Sequence, residues 1–248
     1  MRLCRFAANG RIHRGTSVDN DEVLLDEAGR RHNPDEVVWL PPFEPNEIIG
    51  LALNFSDHAR ELGFTEVEDP VLFLKSHSSL VGHKSHVIAP PNIEYMHYEV
   101  ELAVVIGKPG RKIKAADAMD YVLGYTIAND VTIRDYVVNM FRPPVKAKGH
   151  DTFTPMGPYL VIDEIEDPHN LNMRTYVNGE LRQEGNTSHL LRDIPTLIEY
   201  ISDFMTLNPY DVILTGTPEG ISHIYPGDEL RLEIDGLGAL ENTVVAEE

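Results

Sequence analysis

The sequence predicts an α+β, mainly β protein with a small N-terminal β domain, and three observations lead there. Short β-prone segments punctuated by turn residues recur along the chain, helical patterns are few, and no regular βαβ alternation builds a doubly wound sheet. At 248 residues the chain is long enough to bury a substantial core. It carries neither a glycine-rich phosphate loop nor a dinucleotide fingerprint, so nucleotide cofactors are not indicated.

Residues 1–45 read as the small N-terminal domain. Its β-prone pieces, 2–7, 11–16 and 22–25, are broken by Asn9-Gly10, Asp19-Asn20-Asp21 and Ala28-Gly29. Pro41, Pro42 and Pro45 punctuate the boundary, after which 46–248 form the main domain. That domain opens with an apolar strand over 48–53 running into Asn54. Ser56 can cap a short helix over 57–62 that stops at Gly63. Such a helix is too short to be stable alone, and with the acidic segment 65–69 behind it the region reads as a lid as readily as a fixed element. Strands are expected at 70–75 and at 99–106, the latter buried because Val104, Val105 and Ile106 are apolar on both faces.

Helices are expected at 115–122, 131–141 and 190–207. The last places Leu190, Ile194, Leu197, Ile198, Ile201, Phe204 and Met205 on one stripe. Asn178-Gly179 marks a hairpin turn. Strands over 212–215, 229–234 and 240–245 complete the C-terminal half.

With 40 acidic against 21 basic residues, the formal charge of −19 repels nucleic acid and anionic membrane from most of the surface. The expected partner is a small molecule. No apolar run approaches the roughly 20 residues that span a bilayer, and the first residues lack a signal-peptide apolar stretch. The lone Cys4 excludes an internal disulfide and a cysteine-rich zinc site, which fits a reducing cytoplasm.

Glu99 and Glu101 stand one residue apart in a predicted strand, so they project from the same face. An arbitrary Glu-x-Glu is usually a solvated strand face. Here the strand runs straight into an all-apolar stretch, where unpaired carboxylates would be costly and a hard metal would remove the cost. His97 shares that face, so a zinc site of His97, Glu99 and Glu101 is conceivable, although neither HExxH nor a second histidine at ligand spacing supports it. Asp130, before the helical pattern, reads equally as a helix N-cap. Lys148 can read as a solvated loop lysine beside Gly149 and Asp151, and His58 with Glu61, three apart on one helix face, reads first as an exposed helix pair.

Seven separated motifs change the weighing. GLALNFSDHARE (50–61), FLK (73–75), HYEVELAVVIG (97–107), ANDVTIRD (128–135), KAKGHDTFTPMGP (146–158), VNGELRQEG (177–185) and LTGTPEGI (214–221) follow one another in order and spacing. Together they resemble the fumarylacetoacetate hydrolase (FAH) family, over about residue 48 to the end. IEYMHYEVELAVVIGK, DAMDYVLGY, DPHNL and FMTLNP are most similar to its bacterial branch of isomerases/decarboxylases of 4-hydroxyphenylacetate (homoprotocatechuate) catabolism. The resemblance implies a mixed β-sandwich roll with a few helices. It also implies Glu99, Glu101 and Asp130 as ligands of Mg²⁺ or Mn²⁺, with Lys148 beside the substrate's oxo-acid end. Lys75, Arg134 and Thr217 would support or bind substrate, and His58 with Glu61 would be an acid/base pair on a lid. A homodimer is implied as well.

The expected activity is isomerisation/decarboxylation of a 2-oxo or 2-hydroxy-dienoate di- or tricarboxylic acid through a metal-stabilised enolate. An acylpyruvate hydrolase or oxaloacetate decarboxylase is the enzymatic alternative, since proton management separates these outcomes. A catalytically idle ligand-binding relative is the alternative of another class, and it would be expected to lose His58, Glu61 or Lys148, all of which are retained.

Overall fold

The computed structural model describes residues 1–57, 69–137 and 143–248. Among these residues the chain is strand-rich. β1 (Arg2–Ala8), β2 (Arg11–Val18), β3 (Val23–Asp26), β4 (Arg31–His32) and β5 (Val38–Leu40) come first, then β6 (Ile48–Ala52), β7 (Val71–Leu74), β8 (Leu80–Val81), β9 (His86–Ala89) and β10 (Met96–His97). β11 (Val100–Ile106), β12 (Val122–Asn129), β13 (Thr132–Ile133) and β14 (Thr154–Val161) follow, and β15 (Asn172–Val177), β16 (Glu180–Asn186), β17 (Val212–Leu214), β18 (Glu229–Ile234) and β19 (Gly238–Ala246) close the chain. The helical pieces are a single turn, α1 (Val145–Lys148), a true helix, α2 (Ile194–Phe204), and several 3-10 turns.

The main sheet runs β4-β3-β2-β1-β14-β12-β11-β17-β6-β7, with β5 paired to β1 and β8 to β14. A second sheet, β16-β15-β18-β19-β9, packs across β11, β12 and β14. Every residue of β11 is buried, because its two faces serve two cores. Val100, Leu102, Val104 and Ile106 fill the larger apolar core, and Ala103 and Val105 join a smaller one with Ile48, Ala128, Met156 and Leu214. Strand alternation therefore puts Glu101 on the face of Ala103 and Val105, at the end of the smaller core. The mainly β architecture with few helices is the one the sequence predicts.

All three expected helices differ in kind or in bounds. Residues 115–121 wind as a 3-10 helix. The helix expected over 131–141 is absent from its described part: Thr132–Ile133 form β13 and Arg134–Tyr136 a 3-10 turn. The β-branched run Val131-Thr132-Ile133 suits a strand, and pairing of Met96 with Ile133 and His97 with Thr132 supplies the partner. In the third, Asp193 caps the N-terminus, its side chain accepting from the Thr196 amide at 2.9 Å, so α2 starts at Ile194 and not at 190. The hairpin forms at Asn178-Gly179, both at positive φ (52° and 79°), as its type requires. The helix and lid expected over 57–62 and 65–69 fall almost wholly outside the described residues.

Candidate metal and acid site

The pairing of β11 with β12 builds the centre of the site. Glu101 lies opposite Ala128 and Val100 opposite Asn129, so Glu99, just ahead of β11, meets Asp130, just beyond β12. The Asp130 amide donates to the Glu99 carbonyl at 2.9 Å, and the Glu99 amide to Asn129 Oδ1 at 3.0 Å. The three carboxylates thus converge at one end of a strand pair, each offering an oxygen within 4.8 Å of the others. All are buried, with Glu99 at 6%, Glu101 at 1% and Asp130 at 0% exposure.

Two lysines offset part of this charge. Lys148, the last residue of α1, donates to Glu99 Oε2 (2.9 Å), Asp130 Oδ2 (2.5 Å) and Thr132 Oγ1 (2.7 Å). Those bonds use all three of its donors. Lys75, immediately after β7, donates to Asp130 Oδ1 and to the Phe153 carbonyl. Burial alone would lower the proton affinity of Lys148, but Asp130 and Glu99 outweigh it and hold the ammonium above its ordinary value. For Lys75 burial prevails, aided by the charge of Lys148 and opposed by Asp130, and the shift is downward.

Glu101 is served differently. Its Oε2 accepts from the Gly216 amide at 2.6 Å, and among the described residues no lysine or arginine nitrogen lies within ion-pair distance of it. Burial first, then Asp130 and Glu99, push its pKa well above the carboxylate range. The donor set is all oxygen, buried and short of positive charge at Glu101, which fits a hard divalent cation such as Mg²⁺ or Mn²⁺. His97 does not complete a three-atom cluster with the glutamates among the described residues. Its Nδ1 lies 3.5 Å from Glu99 Oε1, and burial pushes the ring down to about 3.

The remaining expected site residues ring this centre. An Arg134 terminal nitrogen (Nη2) lies 3.8 Å from Glu99 Oε1, with its side chain about one-third exposed. Thr217 lies beyond β17, and Gln183 Nε2 donates to its Oγ1 at 2.8 Å and to the Pro218 carbonyl at 2.7 Å. His58 and Glu61 lie outside the described residues. Asp130 is no helix cap: its carboxylate is taken by Lys75 and Lys148. The loop-lysine reading of Lys148 gives way to a buried ammonium.

Sequence reasoning passed over Gln183, Gly216 and Thr132. Gln183 is the buried member of an otherwise exposed stretch of β16, and an amide among solvated neighbours gave no periodic signal. The Gly216 contribution is a backbone N–H, invisible to side-chain patterns. Asn54 secures the same loop, donating to the Thr215 carbonyl at 2.9 Å while its Oδ1 accepts from the Arg192 amide at 3.0 Å.

Comparison with known proteins bears on this geometry. The model of the fumarylacetoacetate (FAA) hydrolase C-terminal family matches residues 47–245. A Salmonella dublin protein described as a 4-hydroxyphenylacetate degradation bifunctional isomerase/decarboxylase is 49% identical over 233 residues, 94% of this chain and 53% of that protein. The chain thus spans about half the length of that relative. The crystal structure of a 5-carboxymethyl-2-hydroxymuconate delta-isomerase from Mycobacterium smegmatis is 40% identical and superposes over 100% of both chains with a TM-score of 0.90. A maleylpyruvate hydrolase from Sphingobium sp. SYK-6, solved with manganese(II) and pyruvate, is 30% identical over 100% of both chains, with a TM-score of 0.84.

Proposed function

The chain belongs to the fumarylacetoacetate hydrolase family, and on that premise we propose that it is a divalent-metal-dependent isomerase/decarboxylase. Its substrate would be a 2-oxo or 2-hydroxy-dienoate di- or tricarboxylic acid from aromatic, homoprotocatechuate-type catabolism. The observation that carries this reading is the convergence of Glu101, which has no ion-pair partner among the described residues, with Glu99 and Asp130, a buried oxygen set with Lys148 at its edge. Glu99, Glu101 and Asp130 would hold Mg²⁺ or Mn²⁺. When bound, such an ion supplies a Lewis acid that draws electron density from the oxygens of a chelating oxo acid.

The protein groups manage orientation and protons. Lys148, with its three donors on Glu99, Asp130 and Thr132, keeps those carboxylates aimed and would lend a fixed positive charge to negative charge developing on a bound substrate. Lys75 anchors Asp130 from the opposite oxygen. Because Thr217 Oγ1 accepts from Gln183, its own proton is turned away from that residue and is available to a substrate carboxylate. Arg134, partly exposed, suits a second carboxylate at the far end of the molecule. His58 and Glu61 complete the proposal as the acid/base pair that moves protons to and from carbon. Action as a homodimer in the cytoplasm belongs to the same reading; among the described residues no helix is long and apolar enough to cross a membrane.

Carbon–carbon hydrolysis of an acylpyruvate is the second reading, favoured by the structural likeness to a maleylpyruvate hydrolase. One panel separates them. The protein is incubated with Mg²⁺ or Mn²⁺ and, in turn, 2-hydroxyhepta-2,4-diene-1,7-dioate, an unsaturated tricarboxylic oxo acid, an acylpyruvate and oxaloacetate. Enol absorbance, CO₂ and released acid are followed together. Metal-dependent change of the dienoate absorbance with CO₂ from the tricarboxylate is expected. Cleavage of the acylpyruvate alone would replace the proposal with the hydrolase, and inertness toward the whole panel would refute both.

A further inference from the structure

A second convergence of metal-ligating groups lies in the N-terminal layer, in strands that carry none of the residues discussed so far. Gly15 of β2 pairs with Asp26 of β3, and Leu24 of β3 with His32 of β4. That register gathers His13, Asp26 and His32 beside the Phe6 ring. His32 Nε2 lies 3.2 Å from Asp26 Oδ2. His13 Nδ1 lies 3.6 Å from the same oxygen and 3.6 Å from Glu27 Oε2.

These separations have a meaning. Around a tetrahedral zinc ion with bonds of about 2.0–2.1 Å, neighbouring ligand atoms stand about 3.3 Å apart. The observed 3.2 and 3.6 Å bracket that edge, and one ligand atom from each of His13, Asp26 and His32 lies within 4.8 Å of the others. The independent sign is His13 itself. Its side chain is 5% exposed, and Nδ1 is buried without a hydrogen-bond partner although it faces two carboxylates. A buried ring nitrogen left unpaired is costly, and a cation between it and Asp26 removes that cost.

We propose that His13, Asp26 and His32 form a binding site for a divalent transition ion of the zinc type, with Glu27 as a fourth ligand from the rim. Two imidazoles with carboxylates suit zinc better than magnesium, which separates this site chemically from the all-oxygen one. The outer contacts are in place. Asp26 Oδ1 accepts from the Ala28 and Arg30 amides, each at 2.9 Å, which fixes the carboxylate with Oδ2 turned to the histidines. Arg30 Nε also donates to Oδ2 at 2.7 Å, but its side chain is mostly exposed and can swing into water when an ion claims that oxygen. The ion would staple β2, β3 and β4, the last only two residues long.

The test titrates the intact protein with Zn²⁺ in excess Mg²⁺, which competes for the acidic site, and in parallel records the visible spectrum on adding Co²⁺. One zinc equivalent per chain, a raised melting temperature and the intense bands of tetrahedral cobalt are expected. All three should persist in Glu101→Gln. In His32→Gln, which leaves the buried His13 ring in place, affinity should fall by about 10²-fold or more, because losing a direct ligand costs at least as much as the 10–100-fold typical of an outer-shell partner. Arg30→Gln should bind several-fold more tightly. Absence of the cobalt bands in the wild-type protein overturns the proposal. So does a zinc equivalent that survives His32→Gln but is lost in Glu101→Gln, which would assign it to the acidic site.

Discussion

The small sheet and the centre of the main sheet handle charge in opposite ways. In the small sheet, β15 and β18 alternate buried and half-buried or exposed residues, so Arg231, Glu233 and Arg174 point outward and pair in water. In the main sheet, β11 and β14 are buried along their whole length, and a charge placed there has no solvent to retreat to. An ion pair on the first kind of surface is worth little, whereas on the second each charge must be answered within the protein. The small sheet reaches the Thr217 loop beside the acidic site through Gln183, a neutral amide. Chemistry of the proposed kind can therefore be built at the end of strands buried on both faces, with the other sheet as their wall.

Substitutions can break that contrast. Lys148→Met leaves Glu99 and Asp130 short of a buried partner and should destabilise the metal-free protein by about 3–5 kcal/mol in urea unfolding. Arg231→Met in the small sheet should stay within about 0.5 kcal/mol. Equal costs would abolish the distinction. Next in size, Glu101→Gln should lower metal-dependent turnover by at least about 10²-fold, or about 3 kcal/mol of transition-state stabilisation. Its melting temperature without metal should be undiminished, because a crowded anion has been removed. Glu233→Gln should leave turnover unchanged.

A pH experiment sharpens the comparison at the seam between the sheets. His83 accepts from the Glu241 amide at 3.0 Å and meets Trp39 edge-on, and burial pushes its imidazole down to about 4. Its folded value lies below the ordinary 6.5, so the unfolded chain takes up the proton first. The contribution is therefore complete above about pH 6.5 and is lost as pH falls toward 4, by about 2 kcal/mol at pH 5. Urea unfolding at pH 8 and 5 should show that loss, and His83→Gln should flatten the slope by the same amount. The smallest effect is expected at the surface: Asp193→Ala, which removes the cap of α2, should cost about 1 kcal/mol in the same assay.

Much of this was legible in the residues, and the gaps have physical causes. β18 could be read to the residue because its alternation is clean, and the Asn178-Gly179 turn because few other residues accept its backbone angles. β14 went unread: Pro155, Gly157 and Pro158 look like breakers, yet the strand survives between β12 and β1, which supply its partners. The stretch from Val131 was misread as helical because pairing across to β10 is a long-range fact that no local window contains. At the acidic site the types and order of Glu99, Glu101 and Asp130 were visible. That Lys148 spends every donor on its neighbours, and that Glu101 relies on a glycine amide, could emerge only from the folded geometry.

The pairing of β1 with β14 has a consequence for solubility. β14 is eight residues long and wholly buried, and β1 covers its outer edge at Arg2 opposite Val161 and Leu3 opposite Leu160. Without that strand, and without β5 and β2 flanking it, the unpaired N–H and C=O groups of an apolar edge would face water and invite another chain to add itself. Covering that edge is what the N-terminal strands contribute against chain-to-chain addition, two strands away from the carboxylates.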